Sequence, residues 1–284
     1  MTPEARLSAA IEVLDRILAG QPAEAALTQW GRASRFAGSG DRHGVRDLVF
    51  EALRRKRSFA ALGGAETGRG LILGGLRAQG IDPAGMFTGQ GHAPAPLRAS
   101  EAAREATLDE RLDCPDWLLP VLQASLAADF VPVMQALQQR APVFLRVNSR
   151  KGDVAAAQAA LAAQGVATEL TSLASFGLEV TGGARKIQSS EAYKSGLVEL
   201  QDAASQAVIE ALPLADGQRV LDYCCGGGGK ALAMAARAEI KLLCHDAEPR
   251  RMRDLPARAE RAGVEVNFVE KPSKAMPYDL ILTD

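Results

Sequence analysis

Four consecutive glycines, placed between an apolar run and an alanine-rich segment, constrain this chain of 284 residues more than any other feature. The run Val220-Leu221 ends in Asp222, and Gly226–Gly229 are followed by Lys230. Strand, glycine turn and helix in that order begin a parallel sheet of the Rossmann type, in which a nucleotide-like cofactor lies over the turn. Glycine suits such a turn because it tolerates positive φ and lets a ligand approach the backbone closely.

Three kinds of cofactor turn can be compared with these residues. A phosphate-binding P-loop is excluded, because Cys224 stands at its first glycine position and Ala231 stands where a magnesium-binding hydroxyl is needed. The dinucleotide fingerprint is met by Gly226, Gly228 and Ala231, with the acid Asp246 about 20 residues further on. In an S-adenosylmethionine (SAM) site, the turn wraps the methionine end and the acid binds the ribose hydroxyls. The last two interpretations, and an ordinary glycine-rich loop, stay open on this stretch alone.

Four motifs in order carry a resemblance that covers the whole chain. They are Gln-Asp-Ala-Ala-Ser-Gln at 201–206, Val-Leu-Asp-x-Cys…Gly-Gly-Lys at 220–230, the acid and arginine of 246–251, and Tyr-Asp-Leu-Ile-Leu-Thr-Asp at 278–284. This pattern resembles the RNA cytosine carbon-5 methyltransferases of the NOL/NOP/Sun superfamily. It is most similar to their bacterial ribosomal-RNA branch, the RsmB/Sun/Fmu type.

The resemblance implies SAM as cofactor and assigns roles around the turn. Lys230 would reach the cofactor carboxylate, Asp246 the ribose hydroxyls, and Glu270 the adenine side, while Asp222 would help to order the turn. No metal is expected. The implied cofactor-binding residues are Cys224, Cys225, Gly226, Gly227, Gly228, Gly229, Lys230, Asp246, Glu270 and Asp284.

The activity that the resemblance implies is methyl transfer to carbon-5 of a cytosine in ribosomal RNA, of the small subunit (16S). Carbon-5 becomes nucleophilic only after a cysteine thiolate adds to carbon-6 of the ring, which is covalent catalysis. In the family, the cysteines lie in Asp-x-Pro-Cys and in a later Thr-Cys-Ser motif, and Asp284 matches the first residue of the former. Cys224 and Cys225 align with the cofactor loop instead. We therefore expect the 284-residue chain to be a truncated form that binds SAM without turnover.

Composition limits the way in which such a chain can bind RNA. With 33 basic and 34 acidic residues the net charge is −1, so RNA contacts must come from local basic patches. No apolar run is long enough to span a bilayer and no signal pattern begins the chain, which predicts a cytoplasmic protein without a membrane partner. We expect it to act as a monomer. The four cysteines show neither metal-ligand nor disulfide spacing, and small buried thiols are favoured over a zinc site at Cys224, Cys225, Cys244 and His245.

Residues 1–111 are predicted to form an all-α domain that resembles the NusB-like RNA-binding domain fused to many family members. Val45, Leu48, Val49, Ala52 and Leu53 recur at helical spacing. The helix ends in Arg54–Arg57, which complements the helix dipole or contacts phosphate. Glycines from 63 to 75 are expected to interrupt the next helices.

Residues 112–195 are predicted to form a small α+β domain of RNA-recognition type. A helix is expected from Trp117 to Gln139, followed by strands at 142–148, 167–173 and 177–180 around a helix at 153–164. Arg146, on the first of these strands, faces either RNA or solvent in this interpretation.

Residues 196–284 are predicted to be the N-terminal part of a Rossmann-like SAM methyltransferase domain. Asp202 is expected to cap the helix 203–212, which packs on the sheet through Ala207, Val208 and Leu212. Further parallel strands are predicted at 240–244, 264–269 and 280–282.

Two other functions remain possible from the sequence. A non-catalytic RNA-binding protein with a vestigial cofactor fold would bind RNA and show no change of stability with SAM. A nicotinamide-dependent oxidoreductase would be stabilised by NAD instead of SAM.

Overall fold

The computed structural model describes residues 1–284 as two compact units, Met1–Ala141 and Pro142–Asp284. The first unit contains α-helices without a strand, and the second contains two four-stranded sheets. The sequence-based division at 111/112 and 195/196 stays a prediction.

The first unit is formed by eight α-helices, with a core contributed by α1, α2, α3 and α5. The helices are α1 (Pro3–Leu18), α2 (Ala23–Ala33), α3 (Ser39–Arg54), α4 (Lys56–Gly63), α5 (Gly68–Ala78), α6 (Leu108–Arg111), α7 (Leu119–Leu126) and α8 (Phe130–Leu137). The apolar stripe of α3 packs as its spacing predicts, since Val45, Val49 and Ala52 are buried. Leu48 and Leu53 pack against them as partly buried residues.

Glycines in α4 and α5 serve a different purpose from the one expected. Gly70 and Gly74 lie inside α5 without interrupting it. A Cβ on Gly74 would stand 1.9 Å from the carbonyl oxygen of Phe59, and one on Gly63 would stand 1.7 Å from that of Gly70. The two helix backbones therefore touch, and only glycine leaves enough room. The prediction of interrupted helices was wrong for Gly70 and Gly74, because these glycines allow close helix packing, and it was confirmed at Gly64, which ends α4 with a φ of 86°.

The helix expected from Trp117 to Gln139 is also not continuous. It is divided into α7 and α8 by a short 3₁₀ segment, Ala127–Asp129, and Ala127 has a φ of 46°. A non-glycine residue with positive φ cannot continue an α-helix. The prediction of one helix was wrong at this point.

The first sheet of the second unit is antiparallel, with strand order β2-β3-β1-β4. Its strands are β1 (Val143–Val147), β2 (Ala167–Leu170), β3 (Gly177–Gly182) and β4 (Val198–Leu200), and its helices are α9 (Val154–Ala162) and α10 (Glu191–Lys194). The three predicted strands are present, and β4 was not predicted. Leu145, Leu178 and Val198 are fully buried in its core.

Arg146 on β1 faces neither RNA nor solvent, so both expectations for it were wrong. Its side chain is buried under α11, and its Nε donates a hydrogen bond of 2.6 Å to Oε1 of Gln201. Burial lowers the pKa of Arg146 to about 10, while the neighbouring carboxylate of Glu199 acts in the opposite direction. The sequence did not predict that a helix covers this face of the sheet.

The second sheet is parallel, with strand order β7-β6-β5-β8. It is built from α11 (Ala203–Glu210), β5 (Arg219–Asp222), α12 (Gly229–Arg237), β6 (Lys241–Cys244), α13 (Leu255–Ala262), β7 (Asn267–Phe268) and β8 (Leu280–Leu282). Asp202 caps α11 as predicted, by accepting from the backbone N of Ala204 at 2.8 Å. Val208 is exposed and Ile209 is buried instead, so the prediction was wrong at Val208, whereas Leu212 packs against the core as predicted.

The loop that follows β1 joins the two sheets of the second unit. Four consecutive side chains donate hydrogen bonds to carbonyl oxygens in the last turns of α12 and α13 or just after them. The pairs are Asn148 with Ala262, Ser149 with Ala236, Arg150 with Ala235 and Ala238, and Lys151 with Arg261. The last carbonyls of a helix have no intrahelical partner, so this loop satisfies the ends of both helices.

None of the helices combines the length and the apolar character that crossing a membrane requires.

Candidate cofactor site

The glycine loop lies at the carboxyl ends of β5 and β6, where backbone hydrogen bonds hold it. The N–H of Cys225 donates to the carbonyl of His245 at 2.8 Å, and the N–H of His245 donates to that of Asp222 at 2.9 Å. On the other side, the N–H of Tyr223 donates to the carbonyl of Leu282 at 2.8 Å. In parallel sheets, ligands bind at this edge.

Two glycines of the loop adopt conformations that require glycine. Gly226 has a φ of 51° and Gly228, the residue before α12, has a φ of 81°. A Cβ on Gly228 would also stand 2.2 Å from Cδ1 of Leu255. The loop is therefore pressed against α13 and turns directly into the N-terminus of α12, whose free N–H groups favour an anionic group.

Asp246 follows β6 and contacts the loop directly. Its Oδ2 accepts from the backbone N of Gly226 at 2.9 Å, and its Oδ1 accepts from that of Glu248 at 2.9 Å. These two bonds, with Arg251 and His245 nearby, hold the pKa of the Asp246 carboxyl below its usual value. A carboxylate has about four acceptor positions, so two remain for hydroxyl donors.

Asp222, at the end of β5, is buried beneath the loop and only 2% exposed. Its Oδ2 has no hydrogen-bond partner. Burial raises the pKa of Asp222 to about 6, although Lys230, the thiol of Cys225 and the backbone N–H of Ala231 favour the ionised form. A buried acceptor without a partner is uncommon in folded proteins and marks a place where a donor is expected.

A cleft of about 630 Å³ opens beside Asp246, at the ends of β6 and β7. Apolar side chains of Met252, Phe268 and Val269 line it, and Glu270 stands at its margin. Phe268 is 49% exposed, which leaves one ring surface open to a flat ligand. The structure thus places Glu270 in the same cleft as Asp246.

On the other side of the loop, Lys230 meets the end of β8. Its Nζ forms an ion pair with Asp284, which lowers the pKa of the Asp284 carboxyl. Sγ of Cys224 lies 4.0 Å from Oγ1 of Thr283. All ten residues predicted for cofactor binding therefore lie around one edge of the parallel sheet. Six form the loop 224–229, Asp246 and Glu270 lie on one side of it, and Lys230 and Asp284 lie on the other.

Comparison with known proteins gives consistent matches. The family model for the ferredoxin-like domain of RsmF/B-like methyltransferases matches residues 114–185. Ribosomal RNA small subunit methyltransferase B of Pseudomonas putida is 29% identical over 179 residues, 60% of this chain and 41% of the relative. The enzyme of the same name from Xanthomonas campestris is 27% identical over 180 residues. In these matches the chain is similar to the RsmB/Sun family of methyltransferases. The match spans about two fifths of the length of these relatives.

Solved structures share the fold. The crystal structure of PH0851 covers 100% of this chain and 74% of its own, with a TM-score of 0.70 and 16% identity. NSun6 from Pyrococcus horikoshii with SFG covers 60% of this chain and 70% of its own, with a TM-score of 0.52 and 14% identity. These likenesses show that the mixed α/β architecture with its parallel sheet is shared with solved structures.

Only the backbone of Cys225 is available to a ligand. Its side chain is buried in the core of the parallel sheet with Cys244. The contact with the Cys244 thiol, together with burial, raises the pKa of the Cys225 thiol. Cys225 is therefore a protonated core residue, and its side chain is not a nucleophile.

A group of charged residues behind the loop was not predicted from the sequence. Arg258 on α13 donates from Nη1 to the carbonyl of Gly227. The carboxylate of Glu199 on β4 accepts from Arg261 at 2.6 Å and lies 3.5 Å from Nε of Arg258. No motif marks these residues, because their roles depend on how the two sheets meet.

Proposed function

We propose that this chain carries the SAM site of a methyltransferase that forms 5-methylcytosine in small-subunit ribosomal RNA. The observation that carries the proposal is the arrangement at the ends of β5 and β6. There the glycine loop, the ionised Asp246 and Asp222, whose Oδ2 has no hydrogen-bond partner, lie together beside the cleft of about 630 Å³. The protein would act on ribosomal RNA in the cytoplasm as a monomer.

The residues fit SAM in charge and shape. Asp246 has acceptor positions left for the two ribose hydroxyls, and the apolar cleft beside Phe268 suits adenine, with Glu270 at its margin. Asp222 offers a buried negative partner for the α-ammonium group, while Lys230 offers a cation for the carboxylate. A relative's structure with SFG, a SAM analogue, supports this assignment.

When bound, SAM supplies an electrophilic methyl group on a sulfonium. The residues of this chain hold and orient it, with the loop backbone of Gly226–Gly229 closing around the methionine end. Within the chain, Cys225 and Cys244 are buried, and burial raises the pKa of the Cys114 thiol as well. None of these three thiols is placed as an activated nucleophile, and the half-buried Cys224 lies in the cofactor loop, 4.0 Å from Oγ1 of Thr283. We therefore expect SAM binding by this chain without turnover.

Thermal unfolding of the 284-residue chain with SAM, with S-adenosylhomocysteine and with NAD tests the proposal. SAM and its product are expected to raise the melting temperature, and NAD is not. Asp246→Asn should weaken SAM binding by about 100-fold, because two hydrogen bonds to a charged acceptor are lost. Glu248→Gln, an equal charge change two residues away on an exposed side chain, serves as the control. Stabilisation by NAD alone would contradict the proposal and favour the nicotinamide-dependent alternative.

A non-catalytic RNA-binding protein is the second candidate, and the buried thiols of Cys114, Cys225 and Cys244 favour it. It predicts RNA binding with no effect of SAM on the melting temperature. Formation of 5-methylcytosine by this chain would contradict it, and would equally contradict the expectation of binding without turnover.

A further inference from the structure

One face of α3 borders a cleft of about 360 Å³ in the first unit. Four arginines line it, three from α3 and its end and one from the segment after α8, together with the acids Asp47 and Glu51. The arginines are Arg46, Arg54, Arg55 and Arg140. In a chain whose net charge is −1, this is a local excess of positive charge.

Arg54 and Arg55 have no partner within the protein. Neither guanidinium takes part in a hydrogen bond or an ion pair, and the Nε atoms of both are buried without a partner. Burying a charged donor without an acceptor is unfavourable, and each guanidinium has five N–H groups to satisfy. The arrangement leaves two adjacent cations prepared for an anion.

The rest of the predicted basic patch is already engaged. Arg57 contacts the carbonyl of Cys114 and the carboxylate of Asp116, and Lys56 forms an ion pair with Glu66 at 2.7 Å. These two residues therefore hold the helical unit together, and only Arg54 and Arg55 of the four remain available.

We propose that this α3 cleft binds the phosphate backbone of RNA, with Arg54 and Arg55 as the central contacts.

The length of the charged face favours a chain of phosphates over a single one. A second cleft of about 370 Å³ shares Arg46 with the first and is lined by Arg32, Arg42 and His43. Arg42, Arg46 and Arg54 are four and then eight residues apart along α3, which spaces them by about 6 and about 12 Å along the helix axis. The track extends for about 18 Å, the length of several phosphates.

Neighbouring acids reduce the charge of this track without cancelling it. Glu24 pairs with Arg46 at 2.6 Å, and Asp47 lies 3.4 Å from Arg140. Glu51 makes no ion pair. Since Arg54 and Arg55 keep their full charge, the cleft between α3 and residues 138–140 remains cationic.

The planar guanidinium fork binds phosphate and carboxylate alike in two hydrogen bonds. RNA is favoured over an acidic protein because the relatives are ribosomal RNA methyltransferases. Phe50, the aromatic residue of the cleft, is covered by Arg46 at 4.9 Å, so contact with the backbone is favoured over base stacking. This inference rests on the proposed function, because the relatives are ribosomal RNA methyltransferases.

The test is fluorescence anisotropy of a labelled RNA stem–loop with the full chain, titrated at several salt concentrations. Arg54→Gln with Arg55→Gln should lower the affinity about thirtyfold near 0.15 M salt. It should also reduce the slope of log K against log salt by about 1.5 to 2. The matched control is Arg35→Gln with Arg98→Gln, which removes the same charge from exposed residues outside both clefts and should change little.

A charge-conserving variant separates binding from folding. Arg54→Lys with Arg55→Lys should keep the salt slope and lose part of the affinity, because lysine cannot bind phosphate in a fork. An equal loss of RNA affinity in the glutamine variant and in the control variant would overturn the proposal. It would also be overturned if polyglutamate displaced the labelled RNA as strongly as unlabelled RNA does. SAM binding measured on the same variants should be unchanged. If the chain binds RNA and does not bind SAM, the proposed function is refuted and the proposal of RNA binding in the α3 cleft is retained.

Discussion

Nη1 of Arg258 donates a hydrogen bond to the carbonyl oxygen of Gly227, in the middle of the glycine loop. Arg258 belongs to α13, and behind it lies the buried carboxylate of Glu199 on the antiparallel sheet. A charged side chain thus connects the cofactor loop to an element outside the parallel sheet. The orientation of the loop depends on both sheets.

Arg258→Met is expected to weaken SAM binding by about tenfold, because the loop carbonyl of Gly227 loses a charge-assisted hydrogen bond. Glu199 keeps Arg261 as a partner at 2.6 Å, so the free energy of unfolding should fall by only about 1 kcal/mol. Calorimetric titration with SAM and chemical unfolding measure the two effects. Arg250→Met, on a side chain that is 94% exposed, is the control. Unchanged affinity with lowered stability would show a purely structural role.

Asp222→Asn is expected to remove a pH dependence of stability. The pKa of Asp222 is about 6 in the folded protein against 3.8 ordinarily. The folded state holds this proton more tightly than the unfolded state does. The free energy of unfolding therefore falls by up to about 3 kcal/mol as the pH rises from about 4 to about 6, and it stays at the lower value above pH 6. In urea unfolding, the free energy of unfolding of the variant relative to that of the wild type should therefore increase between pH 4 and pH 7. A difference independent of pH would contradict the raised pKa.

Gly228→Ala and Gly217→Ala form a matched pair. Both glycines have a φ near 80°, at 81° and 82°. Alanine at Gly217 meets nothing within 4 Å, so it should cost only the backbone strain, about 1 kcal/mol. At Gly228 the new methyl would also meet Leu255, which should cost about 1 to 3 kcal/mol more. Equal losses in chemical unfolding would show that Leu255 moves aside freely.

Gly74→Ala should destabilise the first unit by about 3 kcal/mol, because the methyl would meet the backbone of Phe59 in α4. Gly40→Ala, in the first turn of α3 with nothing within 4 Å, should instead stabilise by about 0.5 kcal/mol. Thermal unfolding measures both. A neutral Gly74→Ala would mean that α4 and α5 can separate without loss.

The local features of the site were accessible from the sequence. Two apolar strands are followed by Asp222 and Asp246, and glycines come after the strand that ends in Asp222. This pattern predicts the ligand-binding edge of a parallel sheet without information from distant residues. Helix caps such as Asp202 depend on neighbouring residues only. These predictions were confirmed because their causes lie within a few residues of chain.

Features that depend on distant contacts were not accessible. Arg146 lies between two apolar residues of β1, which is the position of an exposed residue in an alternating strand, yet α11 covers it. Val208 and Ile209 are equally apolar, and only the position of the sheet decides which one is buried. Arg258 gains its role from a loop carbonyl 31 residues away. Such pairings are fixed by tertiary packing, which a single sequence does not display.

The loop of Asn148–Lys151 has a consequence for how the protein is made. Arg150 precedes Ala235, whose carbonyl it satisfies, by 85 residues, and Lys151 precedes Arg261 by 110. During translation the residues of the small antiparallel sheet and of this loop therefore leave the ribosome before those of α12 and α13. The donors are thus present before the carbonyl oxygens that they satisfy. Synthesised alone, the cofactor-binding half would lack the donors that end two of its helices.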